Sequence, residues 1–137
     1  MDDKGAIRFI KFSPDNKILA VQRSETTVEF ISFLNNLPNV NDIINYKSKN
    51  ATIHGFVWIH LREVALISNG GVDLYLLNMD KNQIKSVKSI SLTINWFSWC
   101  RSSNLAILAS NNGTVLTPVI LKPGTITKLP KLQCTSS

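Results

Sequence analysis

The sequence predicts an all-β protein of about three four-stranded antiparallel blades, on three observations. Its apolar residues fall in short runs rich in Ile, Val, Leu and aromatics, the composition that suits a pleated, half-buried strand. Asn-Gly and Gly-Gly pairs in Asn69-Gly70-Gly71 and Asn111-Asn112-Gly113 supply the positive φ that tight hairpins need. And the pattern recurs. "FSPDNKILAVQ" from Phe12, "WIHLREVALIS" from Trp58 and "WCRSSNLAILAS" from Trp99 each join an aromatic residue, a short polar connection and a second apolar run.

The offsets are matched. Phe12 to Trp58 is 46 residues and Trp58 to Trp99 is 41, and Ile18, Val64 and Leu105 repeat the same two intervals. Within each unit a third run follows a turn: "TTVEFISF", "VDLYLLN" and "TVLTPVIL". A fourth, more polar strand fits each remaining gap: "VNDIINYKS", "NQIKSVKSISL" and "PGTITKLPK". The units are therefore expected over residues 6–47, 53–92 and 94–131, within one region 1–132 and ahead of a polar tail 133–137.

Four strands every ~40–45 residues is the spacing of a β-propeller blade. The inner strands can be almost wholly apolar because both faces meet neighbouring blades, and the outermost can be polar at the rim. The predicted class is thus a WD40-like β-propeller, incomplete, since closed propellers hold about four to eight blades. A β-sandwich would not be expected to keep the matched offsets. Helices are opposed by Pro14, Pro38, Pro118, Pro123 and Pro130. A three-blade arc leaves its terminal faces uncovered. It reads as a fragment of a longer propeller, ahead of completion by a second chain or a small atypical sheet protein.

At 137 residues, 44% hydrophobic and 18% charged, the composition is that of a globular domain. The opening "MDDKGAIRF" is acidic where a secretory signal is basic and then apolar, and no run reaches the ~18 residues of a membrane span. A cytosolic or nuclear chain is expected. Its two cysteines are then thiols, Cys100 a buried structural one after Trp99 and Cys134 exposed in "QCTSS". The sequons at Asn50 and Asn112 are fortuitous on that reading.

No phosphate loop, zinc-protease helix or nucleophile elbow occurs, and no paired carboxylates stand in a recognisable setting. No catalytic, cofactor or metal residue is assigned, and an enzyme is not expected. His54 and His60 are six apart, which places them on one face of an ideal strand, but no further ligands lie close in sequence. Trp58, Trp96 and Trp99 fit packing between blades, for at least two of them, better than a base-stacking platform.

The charge is uneven. Residues 1–80 carry a net −1 and residues 81–137 a net +7, with no acidic side chain in the second segment. Lys85 and Lys88 fall in one predicted outer strand, Lys128 and Lys131 in another. A solvated rim that guards edge strands is one reading. Contact with an anionic surface is the other, and lipid or acidic protein fits better than nucleic acid, because the aromatic-and-arginine pattern of an RNA-binding sheet is absent.

Several stretches together, "MDDKG", "IKFSPDNKILAVQRS", "TVEFISF", "KNATIHGFVW", "INWFSWC" and "PGTITKLPKL", resemble the N-terminal propeller of the metazoan regulator of the Mon–Ccz complex. The resemblance runs from Met1 to about Leu132. It implies a non-catalytic scaffold partnered with the Mon–Ccz heterodimer. That heterodimer is the exchange factor for the late-endosomal Rab GTPase. It also implies roles in endosome maturation, lysosomal trafficking and autophagy. The implied place is the cytoplasm, peripheral to late endosomes and lysosomes, and the basic segment adds to it the expectation of peripheral contact with their anionic membrane. No small-molecule substrate is implied.

Overall fold

Ile18, Ala20 and Gln22 are buried on one side of their strand while Leu19 turns to the other, the period-2 alternation that lets one sheet pack on two faces. In the computed structural model, which describes residues 9–34, 37–49, 51–110 and 115–133, that pattern builds three antiparallel sheets in chain order. Sheet 1 holds β1 (Phe9–Phe12), β2 (Ile18–Gln22), β3 (Thr27–Leu34) and β4 (Leu37–Lys47). Sheet 2 holds β5 (Ile53–His60), β6 (Glu63–Ser68), β7 (Gly71–Asn78) and β8 (Gln83–Ser91). Sheet 3 holds β9 (Trp96–Cys100), β10 (Leu105–Ser110), β11 (Val115–Lys122) and β12 (Thr125–Lys128), with β13 (Leu132–Gln133) also paired to β11. Each sheet is built on a four-stranded meander, to which β13 adds a fifth strand in sheet 3, and the fold is an incomplete, propeller-like one.

The sheets stack through two apolar clusters. Ile18, Val28 and Phe30 of sheet 1 meet Phe56, Trp58 and Leu66 of sheet 2. On the other face of sheet 2, Ala65, Ile67 and Leu74 meet Ala106, Leu108 and Val119 of sheet 3. Sheet 2 is therefore apolar on both sides, and all six residues of β6 are buried.

The connections explain how the repeats keep phase. Asn16, Asn82 and Asn104 sit at φ of 60°, 51° and 52°, the left-handed region that Asn tolerates better than most residues. Asn16 closes the turn before β2, Asn104 the one before β10, and Asn82 the one before β8. Asn69 and Gly70 form the two-residue hairpin loop that the Gly-Gly signal predicts. The Asn111–Gly113 turn, both sequon asparagines, Met1–Arg8 and Cys134 lie outside the described residues.

One expectation is corrected in register. Ile18, Val64 and Leu105 are not equivalent: Ile18 faces the following sheet, whereas Val64 faces the preceding one. The matched pairs are Phe12 with Leu19, Trp58 with Val64 and Trp99 with Ala106. The β5–β6 connection is only Leu61–Arg62, beside a register shift between Trp58 and His60. A one-residue difference reverses the face of every side chain that follows.

Candidate interaction surfaces

Polar groups at the joints between sheets mostly hold the joints together. Across the first joint, the Trp58 indole N–H donates to the Lys11 carbonyl at 3.1 Å, and its ring meets Phe30 edge-on. The Gln22 side-chain amide donates to the Ile53 carbonyl at 2.9 Å, and the Tyr75 hydroxyl donates to Tyr46 at 3.2 Å. Across the second, His54 Nε2 lies 2.7 Å from the Ile94 carbonyl. A carbonyl only accepts, so that nitrogen carries the proton. The buried Glu63 carboxylate accepts from the Gly124 N–H at 2.6 Å.

His54 is thus occupied by a backbone oxygen, and His60, at the exposed end of β5, does not join it. Among the described residues no three His, Cys, Asp or Glu side chains gather as metal ligands. Trp58 and Trp99 pack at the joints, while Trp96 is 55% exposed. Cys100 is exposed, a correction to the buried thiol expected. As Trp99 turns into the joint, alternation turns Cys100 to the open side of sheet 3. Hydrogen bonding with Ser102 and Ser103 lowers its thiol from the ordinary range.

The two end sheets each present an apolar face that nothing covers among the described residues. On sheet 1, register places Ile10, Phe12, Leu19, Ile31 and Ile43 together, with Ile10 and Phe12 well exposed. On sheet 3, Trp96, Ala109, Leu116 and Leu132 form one cross-strand row, and Cys100, Leu105 and Ile120 another. Phe12 stands where Trp58 stands one sheet later. With no preceding sheet among the described residues, it packs edge-on against Phe33 of its own sheet.

A groove of about 620 Å³ opens at one end of the first joint, where the β1–β2, β5–β6 and β7–β8 connections lie together. Ile18, Leu77 and Met79 are its buried apolar residues, and Lys17, Arg62, Lys85 and Asp80 border it. Backbone bonds fix the walls: the Phe33 N–H donates to the Lys17 carbonyl and the Leu77 N–H to the Arg62 carbonyl, both at 2.8 Å. Arg62 Nη1 donates to Asp15 at 3.1 Å. Burial opposes ionisation of Asp15. The Ser13 hydroxyl, the Lys17 N–H and Arg62 outweigh it and hold the carboxyl below its ordinary value.

The four lysines of the basic segment do not form one patch. Lys88 pairs with Leu74, whose side chain faces sheet 3, and Lys128 pairs with Val119, whose side chain faces sheet 2. These two flank one seam, where β8 and β12 are neighbours. Lys85 pairs with Leu76 on the same side of sheet 2, nearer the end of the sheet where the groove opens. Lys131 is not in the outer strand as expected, because β12 ends at Lys128 ahead of Leu129–Pro130. All four are exposed. Lys17 and Arg62, which sequence reasoning passed over, occupy the first connections of consecutive repeats, and aligning the repeats by those connections brings them together.

Residues 1–84 match the family described as "Regulator of MON1-CCZ1 complex, N-terminal". Over 134 residues the chain is 39% identical to the regulator of MON1-CCZ1 complex of Homo sapiens and 37% identical to that of Mus musculus. Those alignments cover 97% of this chain and 20% of each relative, so the chain spans about one fifth of their length. The Dictyostelium discoideum homologue is 30% identical over 124 residues, 90% of this chain and 12% of that protein. Among solved structures, the periplasmic gluconolactonase of Pseudomonas aeruginosa superposes with a TM-score of 0.65 at 12% identity, covering 98% of this chain and 41% of that one. A protein from Lactobacillus plantarum superposes at 0.69 and 11%, covering 98% and 44%. Likeness at such identities speaks for the fold alone.

Proposed function

The chain belongs to the family of N-terminal regions of regulators of the MON1-CCZ1 complex, and from that premise we propose that it is a non-enzymatic scaffold module acting within that complex. The observation that carries the proposal is sequence similarity along nearly the whole chain to proteins named as regulators of that complex. The joint chemistry supports it, because Trp58, Gln22, His54 and Glu63 use their polar groups on backbone at the joints between sheets. In this reading the partner heterodimer performs nucleotide exchange on the late-endosomal Rab GTPase. The module works in the cytoplasm, peripheral to late endosomes and lysosomes, in endosome maturation, lysosomal trafficking and autophagy.

The test is a nucleotide-exchange assay on the Rab GTPase with purified components. The chain alone leaves the exchange rate at its intrinsic value, and the heterodimer accelerates it. Acceleration by the chain alone would overturn the division of roles.

A second reading is peripheral contact with anionic membrane, favoured by Lys88 and Lys128 flanking one seam. Phosphate contacts of that kind are screened by salt. Sedimentation with phosphatidylserine vesicles that survives Lys88→Glu and Lys128→Glu together would remove it.

A further inference from the structure

An extra residue in β8 brings two lysines to one side of sheet 2. Lys85 and Lys88 are three apart, a spacing that places them on opposite faces of a regular strand. Here Lys85 pairs with Leu76 and Lys88 with Leu74, two positions apart on β7, because Val87 is bulged out of the ladder. Leu74 packs toward sheet 3, so both lysines lie on that side, and Lys128, paired with Val119, stands across the seam on sheet 3. All three are exposed, and among the described residues none has a salt-bridge partner. Glu63 is the carboxylate on that side of sheet 2. It is buried, accepts from the Gly124 N–H, and has Leu76 between it and Lys85 in its row. Residues 81–137 contain no acidic side chain. Like charges on neighbouring positions repel, so the bulge aims a second cation where it opposes folding rather than aiding it.

We propose that the seam between β8 and β12 docks an extended acidic segment of a protein partner, with carboxylates on alternate residues. Two positions along a strand span about 7 Å, and the same interval separates same-side residues of any extended chain. A Glu-x-Glu or Asp-x-Glu run laid along β8 therefore sets successive carboxylates against Lys85 and Lys88, and Lys128 meets it from the other strand. Charge complementarity selects the segment and speeds its encounter with the seam. The lysines stand on paired strands, so their spacing is set before binding. Charge arranged in a line, two cations on one strand and one across from them, suits a chain better than the two-dimensional field of a membrane. This surface goes beyond the scaffold reading and holds whichever protein carries the segment.

The test titrates the isotope-labelled chain at low salt with the end-capped peptide Ser-Glu-Ser-Glu-Ser-Glu-Ser and follows backbone amide shifts. Saturable shifts are expected at Lys85, Lys88 and Lys128, and raising salt weakens binding. The peptide Ser-Glu-Glu-Ser-Ser-Glu-Ser has the same charge and composition but no carboxylates on alternate residues. It binds at least about threefold more weakly. Ser86→Lys combined with Lys88→Ser keeps the net charge and moves one ammonium to the side facing sheet 1, since Ser86 pairs with Tyr75. That exchange weakens binding of the alternating peptide by a similar factor, while Lys17→Glu, at the first joint, leaves it unchanged. Equal binding of the two peptides, shifts centred elsewhere, or no shifts at millimolar peptide would overturn the proposal. Displacement of the peptide by phosphatidylserine vesicles but not by phosphatidylcholine ones would assign the seam to membrane instead.

Discussion

Trp58 reaches across the first joint to the carbonyl of Lys11, 47 residues earlier, while Phe12, its counterpart one repeat before, is 41% exposed. The same position in the repeat is thus a joint in one sheet and an open end in the other. Trp58→Phe keeps most of the packing and removes one hydrogen bond, which costs about 1 kcal/mol. Trp58→Ala costs about 3–5 kcal/mol through the cavity it leaves. Phe12→Ala, with much of its ring already in water, costs clearly less than Trp58→Ala. Urea unfolding of the three variants gives the order.

Two glycines at positive φ separate strain from collision. Gly124, at φ 74°, has open space around the position a Cβ would take, so Gly124→Ala costs about 1 kcal/mol for conformation alone. At Gly71 a Cβ would collide with the Ile90 carbonyl oxygen of the paired strand. Gly71→Ala must open the β7–β8 ladder and costs at least about 3 kcal/mol. Thermal unfolding distinguishes them.

Gly55 makes room for an aromatic ring in the second joint. A Cβ there would lie 2.7 Å from the Phe97 ring tip, which is a side chain able to move rather than backbone. Gly55→Ala is expected to cost about 1–3 kcal/mol as an overpacked contact. Added to Phe97→Leu it costs less than in the parent chain, and a double-mutant cycle gives the coupling.

Asp15 sets a pH dependence. Its folded-state carboxyl lies below the ordinary value of 3.8, so its contribution is fully present above that pH and is lost as pH falls through the lower folded value. Asp15→Asn therefore lowers stability at pH 7, and the difference from the parent chain shrinks in strong acid. With the pair partly exposed, at 36% and 21%, the effect stays within about 1 kcal/mol. Asp73 acts oppositely: burial raises its carboxyl, so ionisation opposes folding above the shifted value, and protonation in acid relieves it. Urea unfolding of each Asn variant at pH 3 and pH 7 checks both signs.

Strand order and the aromatic positions were legible because they rest on local signals: a period of 2, turn glycines and the Phe12, Trp58 and Trp99 spacing. Which face each residue takes was less so. The short Leu61–Arg62 turn and the register shift beside it reverse the alternation between repeats, and neither is marked by a special residue. Cys100 was misread for a related reason, since an apolar strand looks the same from sequence whether its second face is covered or open. Lys85 and Lys88, three apart, keep one side because the ladder shifts between Leu74 and Tyr75, a bulge that no sequence signal marks. The groove itself is a contact between repeats, made by Lys17 and Arg62 from connections that carry no motif.

Association with the heterodimer is the most direct measurement. The purified chain is mixed with the MON1-CCZ1 heterodimer and resolved by size-exclusion chromatography with mass detection. A single peak carrying all three polypeptides is the expected result. Separate elution at concentrations well above ~10 μM, the scale of a weak specific interface, would contradict the proposal that this region acts as a module of that complex.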